Sequence, residues 1–586
     1  MSRSPASQAD SGDRLRRGGA ARFGKDAWAL PLAALVITAA VGAIAAIPSP
    51  AYFLVHMVND PVLYFVMARA FAQHGTAVTS MAENTAPFTY AFGMAYVYGW
   101  VFKLFSTYEQ QIRGIQAVNL LLIFAYLALS LRFVAAVLPR LPVALFAAIF
   151  GSAMLLDYRW HNAALMPNSD ILPGVLTMAA ILIARPAFQP GPQQLGGPGM
   201  AARALAVTVL GGMGLFVKMS LVILPLAFFF LLAMDKGGQR GAWFRRFLLP
   251  AILLGLLALF YANKEVATYY LYVLFNSYLF PSGEISAAGF GKSLVNWVAN
   301  LVFSALPGAI IPKSRHLFFN DMAFPADAFQ AGTYTGRVAL GMILGAAVTG
   351  IMALGASRLW MRCRYEFVCL MLCLPVFAVV HDSTARYLIP FQALAWVAFI
   401  AGLPQGLPHA LQRHRAPVAV GAAVLIAVFI ALQARFFWNR PEGDLGKLAH
   451  IREAGRVYGE ALAALRTLPL GDTRLLHFDE PQNRSTAWRV ATDLTFYAPD
   501  ADLPQVAANY RTLFVVGCVD TGCDLFDKSF SEAISAIRKT GDFEFALVKS
   551  LSSSVARVEI HAIRAVTKQA GNRLNENATT LDALYD

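Results

Sequence analysis

The sequence predicts an all-α polytopic membrane protein with a small α/β domain at its carboxyl end. Hydrophobic residues make up 57% of the 586 residues and charged residues only 14%, whereas soluble domains hold about 45–50% and 25%. Apolar runs near the length that a bilayer requires recur up to about residue 435, which predicts about 10–13 transmembrane helices. Beyond Glu442, shorter apolar stretches with helical and strand periods indicate a soluble domain.

Four regions follow from this change in composition. The polar, Arg-rich start of the chain is predicted to be a disordered cytoplasmic segment, and the polar end is predicted to be a disordered tail. The transmembrane domain and the soluble α/β domain lie between them. In chain order, the predicted bounds are 1–27, 28–435, 441–567 and 568–586.

The first apolar run, Trp28 to Ile47, is predicted to be an uncleaved membrane anchor. A cleaved signal peptide is the rival interpretation, but the run is longer than the usual signal core of about 7–15 residues. The Arg and Lys residues before it should stay in the cytoplasm under the positive-inside rule. The chain just beyond Ile47, including Asp60, is therefore predicted to be extracytoplasmic.

The other basic clusters give a consistent orientation. Each lies beside an apolar run, so the net charge of +13 reflects orientation signals and predicts no nucleic-acid role. Threading the helices between these cytoplasmic clusters places Asp170, Lys218, His381 and Arg386 on the same side as Asp60. The soluble domain is predicted to emerge there too, in the periplasm. The clusters are Arg185 with Arg203, Arg240 with Arg245 and Arg246, Arg358 with Arg362 and Arg364, and Arg413 with Arg415.

Two stretches need a special topology. Three apolar pieces, 88–105, 114–136 and 141–156, separate Asp60 from Asp170. If all three crossed the membrane, Asp60 and Asp170 would face opposite sides. One piece should therefore not span, and we expect it to be 141–156, which is short and begins at a proline. Further on, 293–311 is predicted to be an interfacial or re-entrant helix, because a full span there would reverse both flanks.

The soluble domain is predicted to have a small α/β fold. Helical periodicity covers 447–467 and recurs near 529–539. Strand patterns cover 474–478 and 512–516, and a pair of strands is expected around 543–562. Helices and strands of this length can form one sheet with helices packed against it.

The five cysteines show no metal-binding spacing. Three of them lie in or beside an apolar helix. Cys518 and Cys523 lie in the soluble domain, separated by four residues. They can form a disulfide if this domain is exported, whereas cytosolic thiols stay reduced.

Two short acidic segments precede apolar helices, where charged groups are costly and are usually functional. They are Asn59-Asp60-Pro61-Val62-Leu63-Tyr64 and Asn168-Ser169-Asp170. Asp60 with Pro61 is also an ordinary helix start, and that helix is predicted to end at Gly75. Because the same capping interpretation applies to Asp170, local sequence leaves both roles open.

The order of these segments resembles the GT-C superfamily of multi-span glycosyltransferases. The resemblance covers about 50–400 and is closest to bacterial relatives of protein mannosyltransferases and aminoarabinose transferases. This chain has Asn59 before Asp60, where many members carry two acidic residues in a row. The matching segments are the uncleaved first helix, Asp60-x-x-x-Tyr64-x-x-x-Ala68 ending at Gly75, Asn168-Ser169-Asp170, Gly214-Leu215-Phe216-Val217-Lys218, and Arg386-Tyr387-Leu388-Ile389-Pro390.

The resemblance implies inverting transfer of a hexose or pentose from a polyprenyl-phosphate donor to a glycan, lipid or protein acceptor. The reaction would take place on the extracytoplasmic face of the bacterial inner membrane. It needs a base for the acceptor hydroxyl and cations for the phosphate that leaves. The resemblance makes Asp60 the general base. It makes Asp170 the residue that orients the acceptor or helps to hold a divalent metal ion, if the enzyme uses one.

The same resemblance implies a set of substrate contacts. Lys218 and Arg386 become candidates to bind the donor phosphate. Tyr64 and Tyr387 belong to the same predicted set. His381 is added because it precedes Arg386 on the same predicted side, although a histidine in a membrane loop is more often an interfacial polar residue than a ligand. Each cation also has a simpler interpretation, because Lys218 can snorkel to the membrane interface and Arg386 can contact lipid headgroups.

Two other functional classes stay open. A lipid-linked glycan polymerase or ligase would use the same donors and a long outer loop with basic residues, and 263–335 is such a loop. A polytopic transporter would also keep rare charges beside its membrane helices. Transporters usually show internal repeats, however, and this sequence shows none.

Overall fold

The computed structural model contains a bundle of apolar helices and a separate β-sheet. Three of the described helices are long and apolar enough to cross a bilayer, namely Tyr108–Val137, Ile171–Phe188 and Val338–Leu359. Together with the sheet, they bear out the predicted class of a polytopic helical membrane protein with a small α/β domain. The structure describes residues 28–56, 60–75, 93–139, 141, 143–156, 158–168, 170–189, 197–234, 291, 294–295, 298–311, 336–379, 388–403, 448–467, 473–476, 495–497, 512–519, 543–553 and 557–565.

The described elements of the amino-terminal half are helical. The first lies within the predicted anchor, and the longest, α5, begins after Thr107, whose side chain accepts a capping hydrogen bond from the Gln110 N–H. A 3-10 turn, Pro50–Tyr52, leads into α2. The helices are α1 Ala29–Ala45, α2 Phe53–His56, α3 Asp60–His74, α4 Gly93–Leu104, α5 Tyr108–Val137, α6 Val143–Leu156, α7 Tyr158–Leu165, α8 Ile171–Phe188, α9 Gly197–Val217 and α10 Ile223–Met234.

The carboxyl-terminal half completes the bundle and forms the sheet. A short π-helix, Leu301–Ala305, runs directly into the next helix. The further helices are α11 Leu306–Ile310, α12 Gly336–Leu359, α13 Arg364–Val379, α14 Gln392–Gly402 and α15 Leu448–Arg466. The strands are β1 Thr473–Leu476, β2 Thr495–Tyr497, β3 Thr512–Val519, β4 Phe543–Ser552 and β5 Arg557–Ala565.

Two arginines distinguish the ends of the bundle. Near the start of α5, Arg113 Nη2 donates to the carbonyl oxygen of Pro48, just beyond α1, at 3.0 Å. In the last turn of α8, Arg185 Nη2 donates to the carbonyl oxygen of Ala136 at the end of α5, at 3.3 Å. Helices α5 and α8 therefore run in the same direction. We call the end where they begin the Asp170 end and the other the Arg185 end.

The chain crosses back between α5 and α8 through α6 and α7. Since α5 finishes at the Arg185 end and α8 starts at the Asp170 end, the segment between them traverses the bundle. Helix α6 packs against α1, where Gly151 faces the side chain of Ile37. The prediction that 141–156 does not span is therefore wrong. Helix α6, with 14 residues, is too short to cross by itself. The 8-residue α7 that follows it completes the crossing.

The described part of the apolar piece 88–105 stays at one end of the bundle. This part, α4, has only 12 residues and packs along α3. Gly99 allows this close approach, because a Cβ there would overlap the Phe71 side chain and would lie 3.1 Å from the carbonyl oxygen of Ala68. Because α4 does not cross the bundle, α3 and the start of α8 lie at the same end. This is the arrangement predicted for the two acidic segments.

The second part of the piece 293–311 packs into the bundle, whereas Leu294, Val295 and Val298 at its start are exposed. The residues of α11 are all buried. Thr349 Oγ1 of α12 donates to the carbonyl oxygen of Val302 at 2.8 Å, and Gln392 Nε2 of α14 donates to that of Ala309 at 3.3 Å. These contacts hold 301–311 against α12 and α14, and the interfacial and re-entrant alternatives for the whole piece both stay predictions.

Helices α12 and α14 end together at the Arg185 end. Arg358 Nη1 donates to three carbonyl oxygens at the end of α14, those of Ala401, Gly402 and Leu403, at 2.9, 3.1 and 2.8 Å. A cation at a helix carboxyl end is stabilised by the helix dipole and by these otherwise unpaired carbonyls. Helix α13 then begins beside Arg185, whose Nη1 lies 3.8 Å from a carboxylate oxygen of Glu366.

The strands in the described part of the chain form one five-stranded sheet with the order β2-β1-β3-β5-β4. Strand β1 is parallel to β2 and β3, and β5 is antiparallel to β3 and β4. The strands predicted at 474–478, 512–516 and around 543–562 are present. Strand β2, with 3 residues, is too short for a periodic signal. The helix predicted near 529–539 lies outside the described residues.

Helix α15, predicted over 447–467, joins the sheet to the membrane bundle. Apolar residues at a spacing of three or four form one fully buried face. This face shares an apolar cluster with Tyr52 and Phe53 before α3, and with Val558 and Ile560 of β5. We call this whole apolar cluster, which also contains Tyr64 and Val217, the docking cluster. The buried residues of α15 are Ala454, Val457, Tyr458, Ala461, Leu462 and Leu465.

Two further contacts define how α15 sits on the bundle. Gly455 faces the 3-10 turn so closely that a Cβ would overlap Ser49 Oγ. At the rim, Arg466 Nη1 lies 3.0 Å from Glu109 Oε1, at the start of α5. The soluble domain therefore docks at the Asp170 end, against the segment that leads to Asp60.

Candidate functional site

An ion pair lies at the Asp170 end of the bundle. Lys218 Nζ is 2.5 Å from Asp170 Oδ1. Asp170 precedes α8 and Lys218 follows α9, so these antiparallel helices bring together two residues that are distant in sequence. The Asp170 side chain is 12% exposed and the Lys218 side chain 13%. Each charge is thus largely removed from solvent, and the pairing offsets part of that cost.

Asp170 does not cap its own helix. It occupies the position before α8 with φ −89° and ψ −29°, and its side chain makes no capping hydrogen bond. A capping residue normally has an extended backbone, and its side-chain oxygen accepts from an N–H in the first turn. The capping interpretation is therefore wrong for Asp170, whose carboxylate contacts Lys218 instead.

Asn168 fixes the turn that carries Asp170. Its Oδ1 accepts a hydrogen bond from the Asp170 N–H at 3.0 Å. Its Nδ2 donates to the carbonyl oxygens of Ala163 and Met166, each at 2.8 Å. Asn side chains stabilise turns by bonding nearby backbone groups in this way. The backbone of Asp170 is thereby fixed relative to the end of α7.

Tyr98 of α4 and Asn119 of α5 reach the same turn. Tyr98 Oη lies 2.6 Å from Asn119 Oδ1 and 3.0 Å from the carbonyl oxygen of Asn168, and it accepts from the Asn168 N–H at 3.2 Å. Asn119 Nδ2 donates to the carbonyl oxygen of Met166 at 2.9 Å. Desolvation by burial raises the pKa of Tyr98, so its hydroxyl keeps the proton that it donates.

The sequence analysis did not select Tyr98 or Asn119. A tyrosine in an apolar helix is an ordinary packing residue, so Tyr98 gives no signal. Asn119 stands alone among apolar residues in the run Val118–Phe124. A lone amide in such a run needs a hydrogen-bonding partner, and this is the one sequence signal that could have indicated the network.

The helix of the first acidic segment begins at the predicted residue. Helix α3 starts at Asp60 and ends at His74, and Gly75 follows with φ +76°. This left-handed conformation favours glycine at a helix end. The side chain of Asp60 lies outside the described part of the structure, so its role as a base and its role as a cap both stay predictions.

Tyr64 belongs to the docking cluster. It is 3% exposed and shares this cluster with Val217, which directly precedes Lys218. Leu172, in the first turn of α8, packs against the same cluster. One apolar cluster thus includes residues of the helix that begins at Asp60 and residues next to both members of the ion pair.

The third group of predicted residues lies outside the described residues. It consists of Arg386, Tyr387 and His381, whose roles stay predictions. The described chain resumes just after them with the 3-10 turn Ile389–Phe391. Tyr126 Oη of α5 donates to the carbonyl oxygen of Ile389 at 2.8 Å, which holds this turn inside the bundle.

The described residues do not fit a divalent metal site. In this part of the chain, no three His, Cys, Asp or Glu side chains lie together as such a site requires. Asp170 offers one carboxylate, which Lys218 already engages, whereas Mg²⁺ or Ca²⁺ takes about six or more oxygen ligands. The described residues therefore contain no ligand set for the divalent metal ion that the GT-C resemblance allows.

Solved structures similar to this chain include one of ArnT and two of an archaeal oligosaccharyltransferase. No family model and no curated protein matches the chain. The structure of ArnT from Cupriavidus metallidurans in the apo state is 14% identical, with a TM-score of 0.45, over 90% of this chain and 97% of ArnT. The other two are of the Archaeoglobus fulgidus oligosaccharyltransferase.

One of these archaeal structures is tethered to an acceptor peptide with the NVT sequon, and the other is a complex with Zn and sulfate. Both are 12% identical to this chain, with TM-scores of 0.36 and 0.34. They cover 78% and 81% of this chain and 63% and 67% of the archaeal protein.

Proposed function

We propose that this chain is a glycosyltransferase that moves a sugar from a polyprenyl-phosphate donor to an acceptor at the extracytoplasmic face of the bacterial inner membrane. The Asp170–Lys218 ion pair, with its 2.5 Å contact between two helix ends, carries the proposal. Apolar side chains would often stabilise a buried site equally well or better than such a pair. Charges kept at the ends of membrane helices are best explained by function.

Lys218 is suited to bind the phosphate that leaves. An ammonium group carries three N–H donors, so a phosphate can bind it without breaking the bond to Asp170. The low exposure of both side chains strengthens the attraction between ammonium and phosphate, because little water screens it. We propose that Asp170 holds this cation in place and also orients the acceptor.

The proposed reaction is a single displacement at the anomeric carbon. The Asp60 carboxylate takes the proton of the acceptor hydroxyl while the acceptor oxygen bonds to the anomeric carbon. The bond from that carbon to the phosphate oxygen breaks, and its electron pair leaves with polyprenyl phosphate. Lys218 and Arg386 stabilise the departing charge. Attack opposite the phosphate inverts the configuration of the sugar.

The remaining predicted residues are assigned to substrate contacts. Tyr387 and His381 follow and precede Arg386 in the same short segment, so we propose that they bind the donor with it. Tyr64 is 3% exposed, and we propose that it forms part of the apolar wall behind the site. A buried aromatic ring suits the lipid end of a donor better than its phosphate.

The sidedness is proposed from the distribution of charge. Arg132, Arg185, Arg203 and Arg358 lie on the half of their helices that belongs to the Arg185 end. The positive-inside rule assigns such an end to the cytoplasm. The Asp170 end and the docked soluble domain then face the periplasm.

Turnover by purified protein tests this function. The protein in detergent is incubated with a polyprenyl-phosphate sugar and candidate glycan, lipid and protein acceptors, and released polyprenyl phosphate is measured. We expect release that depends on an acceptor. Extension of a lipid-linked glycan without transfer of single sugars would instead identify a polymerase or ligase. Solute movement into liposomes without donor cleavage would identify a transporter.

A further inference from the structure

We propose that Tyr98 is a positioning residue that fixes Asp170 relative to the helix that begins at Asp60. The inference rests on the proposed function, because it concerns the same site. Tyr98 lies on α4, which follows one acidic segment and precedes the other in the chain. Helix α4 packs on α3, which begins at Asp60, and Tyr98 contacts the turn that carries Asp170.

One side of α4 is packed tightly on α3. Gly99, the residue after Tyr98, is so close to α3 that a Cβ would overlap the Phe71 side chain and would lie 3.1 Å from the carbonyl oxygen of Ala68. The rings of Phe65 and Phe102 add an edge-to-face contact with centroids 4.9 Å apart. Helices α3 and α4 thus form one closely packed hairpin.

The Tyr98 hydroxyl connects this hairpin to the turn before α8. A tyrosine hydroxyl carries one proton, so it donates over the shorter contact, the 2.6 Å one to Asn119 Oδ1, and accepts from the Asn168 N–H at 3.2 Å. Asn119 in turn donates to the Met166 carbonyl oxygen at 2.9 Å, and Asn168 Oδ1 accepts from the Asp170 N–H at 3.0 Å. Both sets of hydrogen bonds end on the turn that carries Asp170.

This arrangement goes beyond what packing requires. The side chains of Tyr98 and Asn119 are fully buried, and buried polar groups destabilise a protein unless their hydrogen bonds are made. Phenylalanine and leucine would fill similar volumes without that cost. What the network adds is one defined backbone position for Asp170. A catalytic site needs this, because a misplacement of about 1 Å can cost about 100-fold in rate.

A kinetic comparison tests the positioning role. Tyr98→Phe removes only the hydroxyl. The matched control, Tyr365→Phe, removes an equally buried hydroxyl that donates to the Leu224 carbonyl oxygen at 3.0 Å, away from the site. We expect Tyr98→Phe to lower kcat about tenfold or more, with the half-saturating donor concentration changed less than about threefold. A kcat equal to that of the control would overturn the inference.

A second readout needs no activity. Because Lys218 contacts Asp170 directly, releasing the turn should already weaken the ion pair. We therefore expect the melting temperature of Tyr98→Phe with Lys218→Met to fall by less than the sum of the two single shifts. Tyr365→Phe with Lys218→Met should give additive shifts. Additivity in both pairs would contradict the inference. If Tyr98→Phe does not fold, Asn119→Ser interrupts the same network and is measured instead.

The two readouts separate this inference from the proposed function. If the wild-type protein cleaves no donor but the melting temperatures are non-additive, the glycosyltransferase proposal fails and the coupling of Tyr98 to Asp170 stands. If the wild-type protein is active, with unaltered kcat in Tyr98→Phe and additive shifts, the positioning role fails and the enzyme assignment stands.

Discussion

Lys218 Nζ contacts Asp170 Oδ1 at 2.5 Å, so the two residues act as one unit. Considered separately, Asp170 had the features of a helix cap and Lys218 those of a snorkelling side chain. In the structure Asp170 does not cap its helix, because its carboxylate contacts Lys218. Lys218 therefore has an anionic partner within the fold. The stability and the chemistry of the site should therefore depend on both residues together.

The first prediction concerns the stability of this unit. Lys218→Met leaves the Asp170 carboxylate without this partner and should destabilise the protein by about 1–3 kcal/mol, less than for a fully buried pair because both groups retain some solvent contact. The double variant with Asp170→Asn should recover most of that loss, since no isolated charge remains. Thermal unfolding in detergent measures both. A single variant as stable as wild type would favour the snorkelling interpretation.

The second prediction concerns Asp60. Asp60→Asn should abolish sugar transfer, because an amide cannot accept the proton of the acceptor hydroxyl. The protein should stay folded, because Asn caps a helix as well as Asp does. Turnover and thermal unfolding of the same preparation check the two expectations. Normal turnover would remove Asp60 as the base and leave the capping role.

The third prediction tests the docking of the soluble domain. In Gly455→Ala the new methyl group would overlap Ser49 Oγ and would lie 3.3 Å from Ser49 Cβ, so the docking of α15 on the bundle should weaken. Gly459→Ala is the matched control, since its nearest neighbour, Ala51 Cβ, would lie at an ordinary 3.7 Å. It should be neutral or stabilising by up to about 1 kcal/mol through helix propensity. Limited proteolysis reports the difference, and equal resistance of both variants would argue against this interface.

The fourth prediction concerns the cysteines. If the soluble domain is periplasmic, Cys518 and Cys523 should form a disulfide in intact cells and resist alkylation until they are reduced. Cys363, Cys369 and Cys373 are buried thiols and provide the internal control, because they should react only after unfolding. Mass mapping after alkylation distinguishes these states. Reduced thiols at 518 and 523, reached only from the cytoplasmic side, would reverse the proposed orientation.

The sequence was sufficient for most of the fold because apolar periodicity is local. It predicted the first apolar helix, the α3 stop at Gly75, helix α15 and the main strands. It failed for 141–156, where a crossing is shared between α6 and α7 and neither helix has the length of a span. Packing of one helix on another decides such a case, and it leaves no local pattern.

The candidate site was predicted only in part, because local sequence reveals unusual residues but not the contacts between them. Asp170 and Lys218 stand out because charges are rare beside membrane helices. Their contact depends on how α8 and α9 pair, which no local pattern specifies. Tyr98 was missed because its role depends on a hydroxyl contact with residues on two other elements.

Direct binding of the lipid product tests the central claim, that the Asp170–Lys218 unit holds the phosphate of a polyprenyl-phosphate donor. Affinity for polyprenyl phosphate is measured by equilibrium binding in detergent for wild type, Lys218→Arg and Lys218→Met. We predict that Arg keeps much of the affinity, because the positive charge remains, and that Met lowers it about tenfold or more, as expected for losing a charge-assisted hydrogen bond. Equal affinity of wild type and Lys218→Met, with both proteins folded, would contradict the claim.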